Sequence, residues 1–158
     1  MQLRGYYRAG DYEAMHRLDL LCFTPEFQFD LETMREAAEA ESSIVVVAEQ
    51  GHQKQMVGFI ILHLEGSGAK KNAYIVTLDV APESRRHGIA TLMLDHAEEQ
   101  ARAAGARRVA LHVSVENSAA IHFYERHKYV QAGTARNFYR EAAQDAFVYA
   151  RQLEKNAR

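Results

Sequence analysis

The chain predicts an α/β fold, a mixed β-sheet flanked by α-helices, on three observations. Ser43 to Glu49 (SIVVVAE) and Met56 to Leu64 (MVGFIILHL) are two apolar strand patterns separated by a short polar turn, close enough to form a hairpin. Ala73 to Thr91 (AYIVTLDVAPESRRHGIAT) passes from an apolar strand through a glycine-containing turn into an amphipathic helix. Arg107 onward repeats that succession, strand and then helix. Strands and helices alternating in this way pack as a sheet with helices over it.

The elements follow in order. Gln2 to Arg8 reads as an edge strand before Gly10, and Asp11 as the N-cap of a helix over Tyr12 to Cys22, whose apolar stripe is Met15, Leu18, Leu21 and Cys22. Phe23-Thr24-Pro25 ends it. Phe23, Pro25, Phe27 and Phe29 crowd the next loop with apolar surface, either as a plug between helices or as one wall of a substrate site. Asp30 caps a helix over Leu31 to Ala40, and the hairpin follows. Glu65 to Asn72, with Gly66 and Gly68, reads as an exposed loop.

In the strand Ala73 to Val80, period two puts Tyr74, Val76, Leu78 and Val80 on one face and Ile75, Thr77 and Asp79 on the other. Pro82 stops the ladder because it has no N–H to give. The helix Gly88 to Ala104 carries Ile89, Leu92, Met93, Ala97, Ala101 and Ala104 on one stripe, and Gly105 suits its C-terminus. Arg107 to Val115 is a strand with Val109, Leu111 and Val113 on one face and Ala110, His112 and Ser114 on the other. A helix near Ser118 to His127, a short strand near Tyr129 to Gly133, a loop Thr134 to Asp145 and a last strand Ala146 to Leu153 complete the chain.

Composition bounds the rest. With 158 residues, 47% of them hydrophobic, one compact domain over 1–158 can bury a core without disulfides or metal. The formal net charge of -2 supplies no basic field, which argues against nucleic acid or an anionic membrane as principal partner. Cys22, the single cysteine, cannot make an internal disulfide, and neither a signal-peptide pattern nor a bilayer-length apolar run is found; a cytoplasmic protein is expected.

Arg85 to Ala90 has the form R-x-x-G-x-A at a helix start, where unpaired N–H groups and the positive end of the helix dipole suit a phosphate. The eight histidines include His122 and His127, which are five apart and diverge on a helix, so no metal is expected.

Three separated segments resemble the GNAT superfamily of N-acetyltransferases over essentially the whole chain. VAPESRRHGIATLML is similar to the family's acetyl-CoA signature, LHVSVENSAAIHFYERHKYV to its Asn-to-Tyr segment, and RNFYREAAQDAFVYARQL to the closing hairpin of the branch that acetylates protein N-termini, ribosomal-protein-alanine acetyltransferases included. The resemblance implies a mixed, mostly antiparallel sheet split into a V between the strands at Tyr74 to Val80 and Arg107 to Val115, with about four helices and acetyl-CoA as cosubstrate in the cleft. It implies that backbone at Leu78 and Val80 pairs with the pantetheine arm. Arg85, Arg86, His87, Gly88, Ala90 and Thr91 would wrap the pyrophosphate, and Asn117 and Tyr124 would reach the cofactor from the other side.

It also implies His112 as general base, with a reference pKa of about 6.5 suited to an amine of about 8, assisted by Tyr74, and Tyr124 as proton donor to the thiolate. A backbone N–H near Val80 would hold the oxyanion. Phe23, Pro25, Phe27, Phe138 and Tyr139 would grip the acceptor. The expected reaction is direct acetyl transfer to the α-amino group of a protein or peptide, a ribosomal protein being one candidate partner, by a monomer or homodimer. A small-molecule amine or a lysine is the alternative acceptor, and a non-catalytic CoA-binding regulatory module the alternative of another class.

Overall fold

The structure is a computed structural model that describes residues 1–153. Its seven strands lie in the order β1-β2-β3-β4-β5-β7-β6. These are β1 Gln2–Arg4, β2 Ser43–Gln50, β3 Gln55–Glu65, β4 Asn72–Val80, β5 Arg108–Ser114, β6 Val130–Tyr139 and β7 Gln144–Gln152. The helices are α1 Asp11–Cys22, α2 Leu31–Glu39, α3 Ile89–Ala103 and α4 Ser118–Arg126. Every neighbouring pair is antiparallel except β4 and β5.

The apolar runs of β2 and β3 place side chains on both faces of the sheet, so the core has two layers. Val46, Ile60 and Leu62 pack with Met93, Leu94 and Ala97 of α3 on one face; Val45, Val47, Phe59 and Ile61 pack with Met15 and Leu18 of α1 and Met34 of α2 on the other. Phe59 is 0% exposed, and truncating such a side chain to alanine costs about 3–5 kcal/mol. Gly58 has no room for a side chain, since a Cβ there would come within 2.9 Å of the Met93 methyl.

Six expectations are corrected. On α3, Leu92, expected on the apolar stripe, is 47% exposed, and Leu94 is buried instead. β1 stops at Arg4, because its guanidinium folds back onto Gly5 O and Asp11 instead of extending the edge. Asp11 is not a cap: Gly10 holds that position at φ 94°, and the Asp11 carboxylate is buried, accepting from Arg4 and from the Tyr7 N–H. On α1, Leu21 is 66% exposed while Asp19, three residues before Cys22 and four after Met15, is 0% exposed and takes its place on the buried face.

The faces of β4 do not alternate throughout. Ile61 is opposite Thr77 but Leu62 is opposite Ile75, so Val76 is an extra residue, a β-bulge. Tyr74 therefore lies on the face opposite Leu78 and Val80, which pack with the α3 layer. The region read as a loop, Thr134 to Asp145, is mostly strand: β6 continues to Tyr139 and returns through 140–143 into β7. The ladder is irregular between Ala135 and Tyr139, where Asn137 adopts φ 50° and donates its N–H to Asp145.

Candidate active site

β4 and β5 pair only at Ala73 with Val109 and at Tyr74 with Ala110. Beyond that level the strands part, which opens the V. The register of β4 decides what the cleft meets. Ala81 N–H donates to Val57 O at 2.8 Å, so Asp79 and Thr77, in step with it, turn their backbone groups to β3. Leu78 and Val80 turn theirs to the open edge. The Val80 carbonyl already accepts from Arg85 Nε at 3.0 Å and from the Cys22 thiol at 3.3 Å. Arg85, expected on the pyrophosphate, is thus engaged at the end of β4, and Cys22 was not anticipated there at all.

From Val80 the chain turns through Pro82–Ser84 into α3. Gly88, the N-cap, adopts φ 78°, and Arg86 also lies in the left-handed region at φ 65°. A Cβ on Gly88 would meet nothing within 4 Å, so its conformation is what calls for glycine rather than the space around it. Leu92 N–H closes the first helical bond to Gly88 O at 3.0 Å, leaving the N–H groups of Ile89, Ala90 and Thr91 without intrahelical partners. Arg86 and His87 are exposed beside them, the ring of His87 bonding Ser84 O at 3.2 Å. The Thr91 hydroxyl pairs with His127 Nε2 at 3.0 Å.

At the point where β4 and β5 part, Tyr74 Oη is 2.8 Å from His112 Nδ1. Phe138 of β6 stacks on the imidazole at 4.0 Å with planes 4° apart, and Tyr139 donates its hydroxyl to His112 O at 3.3 Å. Phe27, from the turn after α1, meets the Tyr139 ring edge-on at 5.0 Å. Burial holds the imidazole below its ordinary value of 6.5, so it is neutral at pH 7. Burial raises the Tyr74 phenol, with the Glu65 charge adding and the His112 backbone opposing.

Among the aromatic residues expected to grip an acceptor, Phe27, Phe138 and Tyr139 form one connected group with His112. Phe23 closes α1, and Pro25 starts the short helical turn that delivers Phe27.

Tyr124 of α4 is buried, with its ring edge-on to Phe123 and Tyr129. Burial, with smaller contributions from Asp79 and Tyr139, pushes its phenol far above the ordinary value, so it keeps its proton. Asn117 caps α4, its Oδ1 accepting from Ala120 N–H at 3.1 Å.

The sheet is thus parted between β4 and β5, with an anion-receptive helix start beside the opening and a neutral histidine at its apex. The sequence model of the acetyltransferase (GNAT) family matches residues 12–129, and the chain belongs to that family. It is an acetyltransferase. The N-alpha-acetyltransferase daf-31 of Caenorhabditis elegans is 26% identical over 151 residues, covering 94% of this chain and 81% of that protein. The catalytic subunit naa20 of the N-terminal acetyltransferase B complex of Schizosaccharomyces pombe is 34% identical over 84 residues, covering 52% of this chain and 47% of that protein. Among solved structures, a ribosomal-protein-alanine N-acetyltransferase from Escherichia coli superposes with a TM-score of 0.80 at 19% identity, covering 99% of this chain and 97% of that one. NAA60 from Arabidopsis thaliana in complex with acetyl-CoA gives 0.80 at 18%, covering 96% and 98%.

Proposed function

We propose that the chain transfers the acetyl group of acetyl-CoA to the α-amino group of a protein or peptide N-terminus. The observation that carries this reading is the Tyr74–His112 pair, 2.8 Å apart under the Phe138 ring at the apex of the V. Acetyl-CoA supplies a thioester carbonyl, and attack by the acceptor nitrogen forms the C–N bond as the C–S bond breaks.

Each step has a residue suited to it. The open edge of β4 at Leu78 and the helix start at Gly88, Ala90 and Thr91, with Arg86 and His87 beside it, suit the pantetheine and pyrophosphate. The Val80 N–H, on that same edge, suits the oxyanion, where one preorganised donor contributes about 3–4 kcal/mol. His112 takes the amine proton in the tautomer with hydrogen on Nδ1, donated to Tyr74 Oη; the Nε2 lone pair is then free, and the Tyr74 O–H is free to hold the amine or an intervening water. Tyr124 is too weak an acid to hand its proton fully to a thiolate of reference pKa about 8.5. It acts by donating a hydrogen bond to the leaving sulfur. Asn117 orients α4, and hence Tyr124, through its cap.

The aromatic wall of Phe27, Phe138 and Tyr139, with Phe23 and Pro25 at its approach, supports a peptide acceptor over a polyamine, which would call for acidic lining. The names of the relatives, N-terminal acetyltransferases, support the same acceptor. Mass spectrometry of a peptide carrying both a free N-terminus and an internal lysine tests it. Acetyl on the N-terminal nitrogen is expected, and acetyl confined to the lysine would overturn the reading.

A further inference from the structure

Asp19 of α1 and Asp79 of β4 are 0% and 1% exposed, the most deeply buried acids among the described residues. Both stand at one contact between α1 and β4: Cys22, one turn beyond Asp19, donates its thiol to the carbonyl of Val80, the residue after Asp79, and Asp19 helps to hold the Asp79 carboxyl above its ordinary range. One oxygen of each is satisfied elsewhere: Asp19 Oδ2 accepts the Phe29 N–H at 2.9 Å, and Asp79 Oδ1 accepts the Thr77 hydroxyl at 2.5 Å. Asp19 Oδ1 and Asp79 Oδ2 are buried with no donor. Asp79 shares its face with Phe59, directly across from it on β3, so the pair sits in the apolar layer that holds Met15 and Leu18. Two ionised carboxylates cannot persist side by side in such a place, whereas one proton between them makes one acid a donor and satisfies both orphaned oxygens.

We propose that Asp19 and Asp79 share one proton and act as positioning residues, fastening α1 and the aromatic loop after it to the strand whose free edge faces the cleft. Both ends of the pair support this. Asp19 holds the Phe29 N–H, and so fixes the far end of the segment that presents Phe23, Pro25 and Phe27. Asp79 lies between Leu78 and Val80. Cys22, one turn beyond Asp19, adds its thiol bond to Val80 O from the same helix face.

The charged and titratable groups around Asp79 are Asp19 and Cys22 of α1, Arg85 after β4 and Tyr124 of α4. Burial and Asp19 hold the Asp79 carboxyl well above the carboxylate range, with Thr77 and Arg85 opposing. Burial and Asp79 push the Cys22 thiol up to about 11, so it enters as a neutral donor. The folded chain therefore keeps a proton that the unfolded chain releases at about pH 3.9. The stabilisation is complete below that value and is lost as pH rises through the folded value.

The test is the melting temperature between pH 5 and pH 9 of the wild type, Asp79→Asn and Asp79→Ala. An amide in place of Asp79 donates to Asp19 at every pH. The wild type is expected to lose stability relative to Asp79→Asn as pH rises, and parallel curves for the two would overturn the shared proton. The positioning role rests on the peptide reading above. For it, Asp79→Ala should raise the peptide KM about tenfold, equivalent to 1.4 kcal/mol, with acetyl-CoA affinity changed less than about twofold and Asp79→Asn restoring the KM. Equal peptide KM values for the two variants would overturn it. Asp79→Ser carries the same comparison if Asp79→Ala does not fold. The melting curves require no acceptor, so a failure of the peptide reading leaves the shared proton separately decided.

Discussion

Tyr74 and His112 meet at 2.8 Å on β4 and β5, the two parallel neighbours of the sheet among the described residues, close to where those neighbours separate. Their pairing is a consequence of the fold. β4 and β5 are in register at Ala73 and Tyr74 alone, and Tyr74 lies before the bulge at Val76, so its side chain faces His112 while Leu78 and Val80 face the α3 layer.

Removing the base should slow chemistry without unfolding the protein, because His112 is only partly buried. His112→Ala is expected to lower kcat about 10²- to 10⁴-fold, and Tyr74→Phe, which removes the Nδ1 partner, about tenfold. Steady-state kinetics at saturating acetyl-CoA with circular dichroism of each variant checks both.

The pH profile follows from the direction of the His112 shift. Burial places the imidazole below 6.5, so its neutral, base-competent form predominates at pH 7 and is lost as pH falls through the folded value. The acidic limb of kcat should therefore lie below pH 6.5 and disappear in His112→Ala. Phe138→Ala uncovers the ring and should move that limb upward toward 6.5, as well as raising the peptide KM.

Tyr124→Phe removes the hydroxyl and keeps the ring that packs on Phe123 and Tyr129. A drop in kcat of about 10- to 100-fold with unchanged melting temperature is expected, since one lost transition-state hydrogen bond is worth roughly 1.5–3 kcal/mol. The readout is kcat together with calorimetry.

Gly88→Ala should weaken acetyl-CoA binding through backbone conformation. Nothing lies within 4 Å of the added methyl, but φ of 78° costs a non-glycine residue roughly 1 kcal/mol. Titration calorimetry should show a loss of affinity of about fivefold with the peptide KM unaffected.

The parts of the molecule written in hydrophobic periodicity are legible in the sequence. Val45 to Val47, Ile60 to Leu62 and, on α3, Ile89, Met93, Ala97 and Ala101 each bury a face large enough to dominate their sequence pattern. β6 reads short in the sequence because it is a sheet edge: Arg136, Asn137 and Phe138 are exposed, and such residues show no alternation. The bulge at Val76 was invisible because an extra apolar residue leaves the run apolar while exchanging its faces. Asp19 and Asp79 do not stand out in the sequence because an acid on an amphipathic helix or strand reads as its wet side. The warning was positional, since Asp19 falls four residues after Met15 and three before Cys22, inside the apolar stripe. Sixty residues separate the two acids, and sequence does not report on proximity at that distance.

Acetylation of an α-amino group is decided by coenzyme A release from acetyl-CoA with two peptides of one sequence, one with a free N-terminus and one blocked there but retaining a lysine. Turnover is expected with the free N-terminus, abolished by the block and reduced at least about 10²-fold in His112→Ala. Equal turnover on the blocked peptide would contradict it.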